Sequence, residues 1–189
     1  VAFALGGLLV LLPVIGVIAG AVKLEDGGPV LYEQERTAVF GETFSIFKFR
    51  TMTPEGESAT PVADEKNDRI TRVGRLLRQT HLDEIPQLWS ILRGDMSVVG
   101  PRAVWTEEEH ILEDDAEMWR KRWFVKPGLT GLAQINDASS VDPGVKLRYD
   151  LQYVREQSFV YDTKIVARQL WKVGVDVVDA VLGTGDRVE

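Results

Sequence analysis

Apolar and polar positions change rhythm several times along the 189-residue chain. Residues 1–22 read VAFALGGLLVLLPVIGVIAGAV and carry no charge. A helix rising about 1.5 Å per residue over that length crosses a hydrocarbon core about 30 Å thick. Pro13 stands in the middle of the run. A proline lacks the N–H and crowds the preceding turn, so a kink is predicted there. The halves on either side would span only about 14–18 Å each. Two topologies follow: a kinked spanning helix, or a hairpin that returns to the face it entered. No basic stretch precedes the run, which argues against a secretory signal. Because the chain begins inside the run, an upstream segment is expected.

Beyond Lys23 the pattern becomes that of a folded domain. EDGGPV reads as a turn. Short strands are predicted at 30–32 and 43–49, joined as a hairpin around Phe40-Gly41-Glu42. Alternation puts Phe44, Ile46, Lys48 and Arg50 on one face of the second strand and Ser45, Phe47 and Phe49 on the other. Residues 53–67 are polar, with Pro and Gly, and read as a loop. A helix over 69–79 presents Ile70, Val73, Leu76 and Leu77. A second, over 82–92, presents Ile85, Leu88, Trp89 and Leu92, with Gly94 as its stop. Residues 107–122 form a charged helix, KPGLTGLA at 126–133 a loop, and 165–181 a helix with Val166, Leu170, Val173 and Val177 on one side. No internal repeat and no further domain boundary is visible.

Charge and composition narrow the chemistry. Twenty-two basic against 29 acidic residues leave a net charge of −7, the wrong sign for a generic nucleic-acid binder. Hydrophobic residues at 44% suffice for a core and exclude a disordered polymer. Cysteine is absent, and His81 and His110 are the two histidines, which removes thiol chemistry and cysteine- or histidine-rich metal sites. Carboxylates, lysines and arginines remain, a set suited to magnesium and phosphate.

Several positions could carry that chemistry. Arg69, Arg72, Arg75 and Arg78 recur every third residue. On a helix each such step turns back by about 60°, so they do not form one stripe. The first three read as a solvated basic face, whereas Arg78 is near enough to Asp83–Glu84 to meet them across a turn. That acidic pair has two readings. Thr80 with Asp83 three residues on fits a helix-capping pattern, and an acid there suits the helix dipole. The same helix start also offers N–H groups to an anion, with Arg78, Arg93 and Arg102 able to neutralise it. Arg102 after the Gly100-Pro101 turn is either a phosphate-directed arginine or a surface one. The KPGLTG loop lacks the spacing of a phosphate-binding GxxxxGK[ST] loop. Trp119 and Trp123, among Arg120, Lys121, Arg122 and Lys126, suit either a lipid headgroup layer or a core. His81 reads as structural.

Together, KFRTM (residues 48–52), DRITRVGRLLRQTHLDEIPQLWSILRGDMSVVGPR (68–102) and KPGLTGLAQIN (126–136) resemble the bacterial sugar transferases, the monotopic polyprenol-phosphate phosphoglycosyl transferases. The resemblance extends from the apolar run to about Ile165. It implies a mainly helical α/β fold: a re-entrant membrane helix over 1–22 broken at Pro13, a small β-hairpin, and interfacial amphipathic helices, with 23–189 as one catalytic domain. It implies that Asp83 is the nucleophile on a UDP-sugar, UMP leaves, and polyprenol (undecaprenyl) phosphate takes the sugar phosphate from an aspartyl intermediate to begin a lipid-linked glycan. Glu84 would orient the site or move protons. Lys48, Arg78, Arg102 and Asp162 match substrate- or phosphate-binding positions, and Asp83 would share Mg2+. The implied location is the bacterial inner membrane, with the site on the cytoplasmic face and the bilayer as partner.

The chain departs from the family pattern at several points. Leu12 stands where a serine often precedes the break proline. Ala103 replaces the proline of GPRP, Leu132 replaces a tryptophan, and Gln134-Ile135-Asn136-Asp137-Ala138 replaces a QVNGR-like stretch. The basic-Phe-Asp opening ahead of the apolar run is absent from the sequence. A membrane-bound scaffold with the fold but no turnover is the rival reading, against which the complete Asp83–Glu84 pair argues. The charged helix at 107–122 is either a homodimer interface or a solvated surface.

Overall fold

The computed structural model describes residues 2–53, 69–106, 118–136, 138 and 142–182. The predicted loop at 53–67, apart from Thr53, and residues 107–117 of the predicted charged helix lie outside them. Among the described residues the chain is mainly helical with two small two-stranded sheets. It forms two compact units, each built from separated stretches: Val1–Glu33, Phe47–Trp89 and Val173–Glu189 in the first, Gln34–Ile46 and Ser90–Lys172 in the second.

In the first unit the apolar run forms helix α1 (Ala2–Asp26), long and apolar enough to cross a membrane. The helix continues through Pro13 and runs past the predicted end at 22 to Asp26; Gly27, at φ +74, makes the turn. One side of α1 is covered, at Ile18 and Val22, and a Cβ on Gly7 would lie 3.4 Å from Leu88. The other side leaves Leu5, Leu9, Val10, Leu12 and Val17 bare. A large contiguous apolar surface of this kind marks contact with lipid or protein.

Strand β1 (Leu31–Thr37) is longer than the predicted 30–32 and pairs with β2 (Thr43–Phe49). Its LYEQERT sequence alternates in exposure, as a strand with one solvated side should. The turn uses positive φ at Phe40 and Gly41. Helix α2 (Arg72–Gln79) begins three residues later than predicted. Ile70 is instead bridged to Met52, and Thr71 caps the helix by accepting from the Gly74 N–H at 2.9 Å. Gly74 lies so close to the Thr51 carbonyl that any Cβ would overlap it. The predicted helix over 82–92 splits into a 3-10 helix (Leu82–Gln87) and a short α3 (Leu88–Arg93). Pro86, inside the first segment, has no N–H to donate to a regular α-helical ladder. Gly94 ends α3 at φ +88, as read from the sequence.

In the second unit, β3 (Ser97–Val99) pairs in parallel with β4 (Gly128–Thr130), in register Ser97↔Gly128 and Val99↔Thr130. The stretch predicted as a loop at 126–133 therefore holds a strand and the start of α4 (Leu132–Ile135). Its glycines serve packing: a Cβ on Gly128 or Gly131 would overlap the backbone of Gly100. Val99, Leu132, Ile135, Tyr153 and Ile165 form one core cluster. Val104, Trp119 and Leu147 form another. Helix α5 (Pro143–Glu156) starts from Asp142, whose carboxylate accepts from the Gly144 N–H. Helix α6 (Phe159–Leu182), whose residues from Val173 on belong to the first unit, starts six residues earlier than predicted. Ile165 is buried, but Leu170, predicted for the covered side, is 65% exposed.

The described end of the predicted charged helix is instead a 3-10 helix (Trp119–Phe124), and Trp119 and Arg122 are core residues rather than headgroup contacts. Arg122 meets Asp150 at 2.8 and 3.0 Å, with side chains 3% and 1% exposed, and its guanidinium lies 4.2 Å from the Trp119 ring centre. Burial pushes the Asp150 carboxyl up, against the pull of Arg122 and Lys146. Arg122→Met strands that carboxylate and is expected to destabilise the fold by about 3–5 kcal/mol in urea unfolding. The sign with pH follows. Without Arg122 the folded-state pKa rises further above the unfolded one, so the deficit grows with pH and shrinks toward acid. A deficit independent of pH between 4 and 8 would show that Asp150 is not its cause.

Candidate active site

The acidic pair sits where α2 ends. Thr80 closes that helix and its hydroxyl donates back to the Leu76 carbonyl at 2.8 Å. This corrects the capping reading: Thr80 belongs to the helix before the pair, and His81 takes the N-cap position after it. His81 adopts a left-handed conformation, φ 56 and ψ 16, which swings the chain into the 3-10 helix. Its ring nitrogen Nε2 lies 3.6 Å from Asp176 of α6.

Asp83 and Glu84 occupy the first turn of the 3-10 helix. With about three residues per turn, neighbouring side chains diverge by about 120°. Asp83 is buried at 9% exposure. Glu84 accepts from Lys48 of β2, Nζ to Oε1 2.8 Å, with both side chains mostly covered. This bond joins two residues 36 positions apart in the chain. Arg78 does not make the predicted contact across the turn: its Nε donates to Thr51 Oγ1 at 2.8 Å. So the first unit brings Lys48, Glu84 and Asp83 to one local structure, and places Arg78 on the strand end beside it.

Arg50, read as sharing a face with Lys48, turns inward instead. It is 3% exposed and its guanidinium binds the Asp26 carboxylate and the carbonyls of Pro29 and Met52, at 2.6 and 2.8 Å for the last two. The strand alternation could not reveal this, because the Asp26 and Pro29 acceptors come from the end of α1 and the turn after it.

Arg102 and Asp162 belong to the second unit. Arg102 is bridged to Gly128, and its carbonyl accepts from Arg122 Nη2 at 2.8 Å. The next carbonyl, of Ala103, accepts from Arg36 Nη1 at 3.2 Å, so the chain after Arg102 is held by two arginines where a proline is usual. A shallow pocket beside Arg102 is lined by Thr37, Pro101, Trp123 and Pro127. Asp162, in the first turn of α6, accepts from the Tyr153 hydroxyl at 2.9 Å. Burial and this carboxylate push the Tyr153 hydroxyl well above its ordinary value, so it stays a donor. Sequence reasoning passed over Tyr153 and Asp150, and singled out Arg122 only as a neighbour of the tryptophans; each is a polar residue on a mixed helix, with no local signal of burial.

The donor set can be tested against magnesium. Among the described residues no three His, Asp or Glu side chains converge on one point. Magnesium keeps several waters and commonly uses one or two carboxylates plus substrate phosphates, so a closed cage is not required. Asp83 offers the hard oxygen donors the ion prefers, and Glu84 is already engaged by Lys48.

The model of the family described as bacterial sugar transferase matches residues 1–176. The chain belongs to that family. It is 40% identical over 171 residues to the UDP-glucose:undecaprenyl-phosphate glucose-1-phosphate transferase of Escherichia coli (strain K12), covering 87% of this chain and 37% of that one. It is 40% identical over 152 residues to the uncharacterized sugar transferase EpsL of Bacillus subtilis (strain 168), covering 80% and 73%. It is also 40% identical over 179 residues to the exopolysaccharide production protein ExoY of Rhizobium meliloti (strain 1021), covering 86% and 78%. The chain thus spans just over a third of the Escherichia coli relative and about three quarters of the other two.

Within this family member the Lys48–Glu84 bond ties the acidic turn to the hairpin. A double-mutant cycle of Lys48→Met and Glu84→Gln, read by urea unfolding, is expected to give a coupling of about 1–2 kcal/mol. Additive losses would mean that the two side chains do not hold each other.

Proposed function

We propose that this chain transfers a sugar phosphate from a UDP-sugar to undecaprenyl phosphate at a membrane surface. The reading rests on one observation above all: a buried Asp83 next to a Glu84 already neutralised by Lys48. The family match and the named activity of the Escherichia coli relative agree with it.

The chemistry is a double displacement. A carboxylate oxygen of Asp83 attacks the phosphorus that bears the sugar. The bond from that phosphorus to the bridging oxygen breaks, and UMP leaves with the electron pair. The phosphate of the lipid acceptor then attacks the aspartyl phosphosugar, forming the undecaprenyl diphosphate sugar and freeing Asp83. Splitting one transfer into two displacements is covalent catalysis by a carboxylate. Its barrier is lowered mainly by positioning and charge neutralisation.

Each residue has a part in this scheme. Lys48 holds Glu84, which orients the acidic turn and exchanges protons. Arg78 and Arg102 serve as phosphate-binding cations, Arg102 with its backbone held by Arg122. Asp162 acts through Tyr153, which it fixes. Asp83 and the donor diphosphate would together hold Mg2+, which supplies charge neutralisation on the phosphates when bound.

We place the protein at the inner membrane with its site on the cytoplasmic face, where nucleotide sugars are made. For α1 we favour the re-entrant topology. Its first turns, at Gly7, approach Leu88, and its last residue pairs with Arg50, so both ends of one apolar helix meet the unit that carries Asp83. A straight spanning helix would leave one end across the bilayer.

UMP release from a panel of UDP-sugars, in nanodiscs with magnesium, tests the scheme. Steady release that needs undecaprenyl phosphate and prefers one sugar is expected. Asp83→Asn should lower it by about a thousandfold or more while the protein stays folded. Full turnover in Asp83→Asn would remove Asp83 as nucleophile. Silence of the folded wild type with every sugar would favour the scaffold reading.

A further inference from the structure

The last turn of α1 carries two adjacent acids, Glu25 and Asp26, at the end of a helix where the dipole disfavours negative charge. Both find partners far along the chain. Glu25 accepts from the first backbone N–H groups of α2: Oε1 lies 2.7 Å from the Arg72 nitrogen and Oε2 3.2 Å from that of Val73. Asp26 binds the Arg50 guanidinium at the end of β2, through both carboxylate oxygens, and its Oδ1 also accepts from the Gly28 N–H at 3.0 Å. Lys23 completes the turn by donating to the carbonyls of Gly27 and Gly28 at 2.7 and 3.2 Å.

The geometry has a mechanical consequence. Neighbouring residues on an α-helix point about 100° apart. The two carboxylates therefore grip two different elements, and a two-point grip fixes the rotation of α1 about its axis as well as its tilt. The elements gripped are the ones that frame Asp83. Strand β2 carries Lys48, which holds Glu84, and α2 carries Arg78, which is bonded to Thr51. A Cβ on Gly28 would collide with the Arg50 guanidinium, so the turn is shaped around this contact.

We infer that Glu25 and Asp26 are positioning residues: they set the depth and orientation of the apolar helix against the Asp83 turn, and thereby where the lipid-borne phosphate meets it. The inference rests on the transfer reaction proposed above. It separates two steps. Attack of Asp83 on a water-soluble donor depends on the local Lys48–Glu84 arrangement. Delivery of a long-chain acceptor depends on how the helix seats the site in the bilayer.

The test uses the full chain in nanodiscs of phosphatidylethanolamine and phosphatidylglycerol, comparing wild type with Glu25→Gln/Asp26→Asn. The UMP burst with UDP-sugar alone should be unchanged. The apparent KM for undecaprenyl phosphate should rise about tenfold or more, because a misplacement of about 1 Å can cost about a hundredfold. A short, water-soluble polyprenol phosphate should be used equally well by both proteins, which a general loss of folding would not allow. An unchanged KM for the long acceptor, or equal losses in the burst and with both acceptors, would overturn the inference. If the double variant does not fold, Glu25→Gln alone, which keeps the Arg50–Asp26 pair, should show a smaller rise confined to the long acceptor; no rise overturns the inference. Failure of the underlying reaction looks different, since wild type would then give no burst or Asp83→Asn would retain it.

Discussion

A guanidinium that is 97% covered must find acceptors for its N–H groups, and Arg50 finds them in three separate pieces of chain. Removing a charge from water costs several kcal/mol unless it is paired and hydrogen-bonded, so these contacts are obligatory rather than decorative. They oblige the end of the apolar helix, the Gly-Pro turn and the end of the hairpin to stay together. The Pro29 and Met52 carbonyls hold the guanidinium independently of Asp26, so the end of β2 keeps its own anchor beside Asp83. Once β2 is anchored at Arg50, Lys48 is two residues away and meets Glu84, and Thr51 is one residue away and receives Arg78.

The second unit solves the same problem with different means. Arg122 and Asp150 are buried together, and Trp119 presents its ring to the guanidinium. Arg122 also binds the Arg102 carbonyl, and Arg36 binds the next one. In this way a core ion pair disciplines the backbone that carries Arg102. The parallel β3–β4 pair is held close by glycines, whose lack of a Cβ lets Gly100, Gly128 and Gly131 approach within backbone contact. The Gly-rich KPGLTG stretch is therefore a packing device. Its resemblance to a phosphate loop stops at composition.

The two adjacent acids are held in different ways. A 3-10 turn sends adjacent side chains in different directions, so Glu84 meets Lys48 while Asp83 is turned elsewhere into cover. Left-handed His81 and Pro86 both favour this tighter turn over a regular helix. Two carboxylates next to each other in sequence thus reach different environments, which is the condition for giving them different roles. The membership of the sugar transferase family supplies the chemistry those roles would serve.

Local patterns of period, turn residue and charge sufficed to find the apolar helix, the hairpin at β2, the stop at Gly94 and the acidic pair. The sequence also carried the family resemblance in motifs long enough to be specific. The tertiary structure decided the rest. Thr80 became the end of one helix instead of the start of the next, since its hydroxyl found the Leu76 carbonyl. Arg50 and Arg122 became buried anchors, and the loop at 126–133 became a strand. For Arg50, Arg122 and the strand at 128–130 the deciding partner is more than twenty residues distant; for Thr80 it is the carbonyl one helical turn back. Hydrophobic periodicity registers which way a side chain faces on its own element. It does not register which distant carboxylate or carbonyl will be there to receive it, and for buried charge that partner is what determines the outcome.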